Sequence, residues 1–160
     1  MKSSTRRALP LTLCALLGAN LVAAADVANM SGTWKLNLEK SKFEKSAPLS
    51  VLLKIEHNEP SFKYSGTVQR DQTAQPDTFE FSGAIDEKIH PVTENGKSGR
   101  TIKFARKSAN TIQSWSSDAT MEEHAETTIS ADGKTLTRNM HVKQSNGLKR
   151  QWVEVYDKQS

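Results

Sequence analysis

The sequence predicts an all-β protein, a single up-and-down antiparallel β-barrel of about eight to ten strands. Three observations support this fold class. Apolar and polar residues alternate in several segments, for example over 51–55, as they do in half-buried strands. The turn-forming pairs Asn95-Gly96, Asp132-Gly133 and Asn146-Gly147 separate strand-like segments. No window keeps the period of about 3.6 residues that marks an amphipathic helix.

Ten segments are candidate strands. They are Gly32–Leu38, Leu49–His57, Phe62–Gln69, Thr78–Gly83, Ile85–Val92, Arg100–Arg106, Asn110–Ser117, Met121–Ser130, Lys134–Lys143 and Leu148–Tyr156. Glu39–Lys45 is the one plausible helical turn. Connections this short favour a meander, because parallel crossovers need about a dozen residues. A closed barrel removes the free edges of an open sheet, although alternation alone does not distinguish it from a β-sandwich.

The first 25 residues have the layout of a secretory signal peptide. A basic start precedes a mostly apolar stretch over 8–22, and Ala23–Ala25 supply small residues at the cleavage positions. We predict cleavage after Ala25, a mature domain over 26–160, and a soluble protein exported to the periplasm or out of the cell. Paired arginines leave Sec and twin-arginine export both open.

Removal of this segment changes the charge balance. It takes Lys2, Arg6 and Arg7 from the 22 basic residues and leaves 19 against 18 acidic ones. Because the mature chain is almost neutral, the sequence does not support a nucleic-acid or membrane partner. Cys14 lies in the predicted signal peptide, so the mature domain has no disulfide, thiolate ligand or cysteine nucleophile.

Motifs for catalysis are absent from the sequence. It has no Gly-x-Ser-x-Gly elbow, no phosphate-binding glycine loop and no His-Glu-x-x-His helix. The sequence therefore favours binding over catalysis and predicts no cofactor. A carrier for a small apolar molecule such as a lipid is the first hypothesis. The alternatives are a solid-core interaction or inhibitor module that acts through the loops Arg70–Asp77 and Glu94–Gly99, and a hydrolase or isomerase with a polar lumen.

Turn geometry sets a register for the last three strands. If Asp132-Gly133 and Asn146-Gly147 are two-residue loops, this part of the sheet has an apolar and a polar face. The apolar face carries Met121, Ala125, Ile129, Leu136, Met140, Val142, Val153 and Val155. The polar face carries Glu122, His124, Glu126, Asn139, His141, Arg150, Trp152, Glu154 and Tyr156. Because a soluble barrel buries its apolar face, we expect the first set inside and the second outside.

Two binding sites on the outer face follow from this register. His124 lies opposite His141, where side chains are about 5 Å apart and two imidazoles can share a zinc ion. The alternative is a solvated face with two unrelated histidines. Trp115, Trp152 and Tyr156 could together form an aromatic patch for a partner or a glycan.

Motifs at both ends of the mature chain resemble those of the calycin superfamily, the lipocalins and fatty-acid-binding proteins. Ser31–Asn37 contains a Gly-x-Trp motif, and Val155–Lys158 reads Val-Tyr-Asp-Lys. Together with Lys40–Phe43, His90–Thr93 and Ser130–Thr137, these motifs make the chain similar to small secreted bacterial lipocalin-like proteins of uncertain function.

The resemblance implies a barrel whose lumen takes a small apolar ligand and whose closed end is plugged by Trp34. It also implies that the row containing Trp152, Glu154 and Tyr156 faces the lumen, in conflict with the apolar-face expectation. Glu154 stands where fatty-acid-binding proteins have an arginine for the ligand carboxylate, and their helical lid has no counterpart here. The candidate ligand-binding residues are Trp34, Tyr64, Phe81, Phe104, Trp152, Glu154 and Tyr156.

Overall fold

The computed structural model describes residues 26–160, which contain ten β-strands and no helix. The predicted signal peptide and its cleavage site lie outside the described residues. The strands are β1 (Gly32–Leu36), β2 (Ser50–Asn58), β3 (Ser61–Gln69), β4 (Asp77–Ala84), β5 (Ile89–Glu94), β6 (Lys97–Ser108), β7 (Thr111–Ser117), β8 (Met121–Ile129), β9 (Thr135–Gln144) and β10 (Lys149–Lys158). Over this range no helix is long and apolar enough to cross a bilayer.

The ten strands form one closed antiparallel barrel. Each strand pairs with its neighbours in sequence, and β1 also pairs with β10, so the sheet closes on itself. The predicted up-and-down barrel is thereby confirmed over the sandwich alternative. Pairing is shortest between β4 and β5, where only Phe79 with Glu94 and Glu80 with Thr93 are aligned. The strand β5 begins at Ile89, later than expected, because Asp86 accepts the Lys88 N–H at 3.0 Å in a turn.

The prediction of a helical turn over Glu39–Lys45 is wrong. Ser41 N–H donates to the Asn37 carbonyl at 3.1 Å, but the turn is not continued. Lys42 instead exchanges two backbone hydrogen bonds with Val153, of 2.8 and 2.9 Å. Because both backbone groups of Lys42 pair with β10 in this way, the segment runs along the edge of β10 beyond the end of β1 and cannot form a helical turn.

The predicted register is confirmed for β8 and β9, where His124 lies opposite His141. The pairing of β9 with β10 differs from the prediction by one residue, because Asn146-Gly147 belongs to a three-residue loop. Gln144 N–H donates to the Leu148 carbonyl and Gly147 N–H to the Gln144 carbonyl, both at 2.9 Å. Gly147 has a φ of 85°, the left-handed conformation that such a loop requires.

This offset reverses the faces of β10. Inside the barrel, the residue pairs across β10 and β9 are Arg150 with Val142, Trp152 with Met140, Glu154 with Arg138 and Tyr156 with Leu136. Val153 and Val155 face outwards and are half-buried, and the backbone of residues 37–42 pairs along the same edge of β10. The expectation that these valines face inwards is therefore wrong, since a slip of one residue turns every side chain to the other face.

Trp34 closes one end of the barrel. Its side chain is fully buried, and its indole N–H donates to the Met30 carbonyl at 3.0 Å. Met30 is also fully buried, and its N–H donates to His57 Nδ1 at 3.2 Å. The segment before β1 thus crosses this end of the barrel and is held there by buried hydrogen bonds and packing.

Replacing Trp34 with Phe should lower the free energy of unfolding by about 2–3 kcal/mol, because it leaves a small cavity and an unpaired buried carbonyl. Urea unfolding measures the change. The matched control is Trp115→Phe, since Trp115 lies on the outer face and is 38% exposed; that change should cost less than about 1 kcal/mol. Equal losses in the two variants would contradict the role given to Trp34.

Candidate functional site

The barrel encloses a cavity of about 340 Å³. This volume lies at the lower end of the range of about 300–1,000 Å³ that is typical of small-molecule sites. Segment 43–48, Arg70 and Glu94 border the end opposite Trp34, where β2 and β10 begin. The lumen can therefore hold a small organic molecule.

One wall of the lumen is apolar and aromatic. It comes mainly from β2, β3 and β6, whose alternating residues point inwards and include Val51, Leu53, Ile55, Phe62, Tyr64 and Phe104. The Phe62 and Phe104 rings lie 5.1 Å apart, and Tyr64 stacks on Phe81 at 5.3 Å. These rings hold one another in place, so the wall offers a firm flat surface to an apolar ligand.

The opposite wall is polar and contains a half-buried ion pair. Arg138 on β9 lies 3.1 Å from Glu154 on β10, its partner across the two strands. Glu154 Oε1 also accepts the Trp152 indole N–H at 2.8 Å, and Oε2 accepts the Tyr156 hydroxyl at 2.9 Å. Glu154 therefore interacts with three donors, the side chains of Arg138, Trp152 and Tyr156, and holds all three in place in this wall.

Burial and charge keep these groups in fixed protonation states. Burial raises the pKa of Tyr156, and the neighbouring Glu154 carboxylate raises it further, so the phenol stays a donor. Burial alone would lower the pKa of Arg138, but the acidic groups around it, led by Glu154, together outweigh this effect and the pKa is raised. Burial also raises the pKa of Tyr64, whose hydroxyl forms no hydrogen bond within residues 26–160.

Glu123 is the least satisfied carboxylate of the polar wall. Its carboxylate lies 3.6 Å from Arg100 and 3.9 Å from Arg138 and accepts no hydrogen bond from the described part of the chain. Burial raises its pKa, and the two arginines offset the increase only in part. A fifth of its side chain, 20%, stays accessible where it lines the cavity. Glu123 can therefore hydrogen-bond a polar group of a ligand.

Arg100 and Asp118 form an ion pair near the open end. Arg100 lies 2.8 Å from Asp118 and 3.0 Å from Glu94, and it donates to the Ser116 hydroxyl at 3.1 Å. Burial alone would raise the pKa of Asp118, but hydrogen bonds from Thr120 and Arg100 lower it to about 2. This cluster holds the loop between β7 and β8 against the barrel.

Asp118→Asn should lower the free energy of unfolding by about 2 kcal/mol at pH 7. A depressed pKa stabilises the folded state above the unfolded pKa of 3.8, and this stabilisation is lost as the pH falls towards the folded value of about 2. The difference between wild type and variant should therefore shrink below about pH 4. Urea unfolding between pH 7 and pH 3 tests this, and a difference independent of pH would contradict it.

On the outer face, a row of side chains crosses β6 to β9. Lys103 lies over the Trp115 ring at 4.6 Å, Trp115 stacks on His124 at 5.2 Å, and His124 stacks on His141 at 6.1 Å. Trp152 and Tyr156 face the lumen, so the predicted outer patch that joined them to Trp115 does not exist. The faces of Trp115 are occupied by its neighbours in the row, which leaves little flat surface for a glycan.

The zinc hypothesis for His124 and His141 stays a prediction. Their rings lie nearly parallel, 22° apart, and residues 26–160 contain no group of three or more metal-binding side chains. If the pair binds zinc, both rings must turn, and calorimetry should show heat at micromolar zinc that His141→Ala abolishes. His90→Ala, remote on β5, is the matched control and should keep the heat. No heat from the wild type would end the hypothesis.

The structure brings most of the predicted ligand-binding residues together. Tyr64, Phe104, Trp152, Glu154 and Tyr156 line the cavity. Trp34 lies at the closed end and Phe81 behind the aromatic wall, so these two support the lumen without lining it.

Sequence reasoning missed the charged residues Glu123, Arg138 and Arg100. A signal for two of them was present, because Glu123 and Arg138 interrupt the apolar rows of β8 and β9 in the confirmed register. A charge in an otherwise inward-facing row indicates a buried pair or a polar lumen.

Neither the known protein-family models nor the curated proteins contain a match to this chain. The ten-strand antiparallel barrel is compatible with a calycin-like fold.

Proposed function

We propose that this protein binds a small amphipathic molecule in the barrel lumen and acts as its carrier. The observation that carries the proposal is the cavity of about 340 Å³ with one aromatic wall and one charged wall. A protein that acts through its outer surface does not need a cavity in its core, whereas a carrier does.

The two walls indicate the character of the ligand. Burying apolar surface of the ligand against the wall of Phe62, Tyr64 and Phe104 removes that surface from water and favours binding. A purely apolar ligand would desolvate Glu123 and the Tyr64 hydroxyl without replacing their hydrogen bonds to water, which costs free energy. An amphipathic molecule satisfies both walls.

The proposed protein group and the proposed export both rest on sequence motifs. The Gly-x-Trp opening, the closing Val-Tyr-Asp-Lys and the barrel topology support membership of the secreted bacterial lipocalin-like group. The layout of residues 1–25 supports export to the periplasm or the outside of the cell, where a carrier would collect or deliver its ligand.

Fluorescence titration with N-phenyl-1-naphthylamine, an uncharged aromatic amine with one N–H group, tests whether the lumen binds a small molecule. We expect saturable binding in the micromolar range. Ser114→Phe should weaken it by about tenfold or more, because Ser114 is buried on the lumen side of β7 and the added ring fills the space. Native mass spectrometry of the purified protein should also detect a retained small molecule.

The matched control is Gln113→Phe, which places the same ring on the outer side of the same strand and should leave binding unchanged. Circular dichroism and thermal unfolding establish that both variants are folded. If the wild type does not bind the probe, or if both variants bind it as well as the wild type does, the lumen is not a binding site.

A further inference from the structure

Arg150 lies on the lumen side of β10 near the open end. It pairs with Val142 on β9, and Val142 pairs in turn with Glu123 on β8. The Arg150 Nε is buried and has no hydrogen-bond partner. No carboxylate in the part of the chain that the structure describes forms an ion pair with this guanidinium.

The guanidinium groups of Arg100 and Arg138, which also line the lumen, are neutralised. Arg100 contacts three carboxylates, and Arg138 contacts Glu154 and Glu123. At the rim, Arg70 contacts Asp77, and the adjacent Glu44 and Lys45 carry opposite charges. Within residues 26–160, Arg150 is therefore the lumen-lining arginine whose charge has no partner.

A half-buried guanidinium without a partner has the chemistry to bind an acid. It offers several N–H donors in a planar fork that matches a carboxylate, sulfonate or phosphate, and such charge-assisted bonds are stronger than neutral ones. The next inward residue on β10 is Trp152, which pairs with Met140. A ligand held at Arg150 would thus extend its apolar body past these side chains towards the aromatic wall.

We infer that the ligand is an amphipathic anion, with one acidic group bound by Arg150 at the open end and an apolar body in the lumen. This inference rests on the proposed function. The carboxylates of the lumen do not oppose it, because Glu154 and Glu94 are each engaged by an arginine and Glu123 lies between two of them. Glu44, at the open end, is exposed to solvent.

Two probes with a common aromatic body distinguish binding in the lumen from recognition of an acidic group by Arg150. 1-Anilinonaphthalene-8-sulfonate carries one sulfonate, and N-phenyl-1-naphthylamine carries none. Arg150→Met keeps the apolar stem and removes the charge, and it should weaken binding of the sulfonate probe by about tenfold or more while changing that of the neutral probe by less than about twofold. Arg150→Lys should restore much of the loss, because it restores the positive charge.

The matched control is Lys149→Met, which removes the same charge from the adjacent, exposed position and should leave both probes unaffected. If the wild type binds neither probe, the proposed function fails. If it binds the neutral probe but not the sulfonate, or if Arg150→Met affects both probes equally or neither, the lumen binds its ligand without Arg150 and the inference is wrong.

Discussion

Gly147 closes the β9–β10 hairpin in the left-handed conformation, and this turn determines which side of β10 faces the lumen. With three residues in the loop, Glu154 lies opposite Arg138 inside the barrel. With a two-residue loop, every side chain of β10 would face the other side of the sheet, and Arg150, Trp152 and Glu154 would no longer face the lumen. The polar wall therefore depends on the left-handed backbone of Gly147, which lies in the β9–β10 loop and not in the wall itself.

The inward row of β10 also explains why the lumen remains open. Aliphatic side chains on every strand would let the core pack densely, as protein interiors normally do. The ion pair between Arg138 and Glu154, with its fixed donors, resists such collapse, because each group must keep its hydrogen-bond geometry. The aromatic wall resists it in another way, since its rings pack against one another instead of against the opposite strands. The cavity is the space that remains between these two walls.

Much of this fold could be predicted because alternation and turn residues specify strands locally. All ten strands and the His124–His141 register follow from such short-range signals. The apolar pattern predicted the wrong orientation of β10, because Asn-Gly fits two loop lengths that differ by one residue and each row of β10 contains apolar side chains. The resemblance to the calycin superfamily implied the inward row that is observed. The predicted helical turn over Glu39–Lys45 failed for a long-range reason, the pairing of Lys42 with Val153.

The pairing of β1 with β10 joins parts of the chain that are far apart in sequence, since Trp34 lies opposite Lys158. Native contacts between such distant residues form late, because a long loop must close before they contribute stability. Until the last strand arrives, β1 and β9 each present an unpaired edge to other molecules. The protein is thus most exposed to aggregation during synthesis and refolding, and the C-terminal strand ends that exposure.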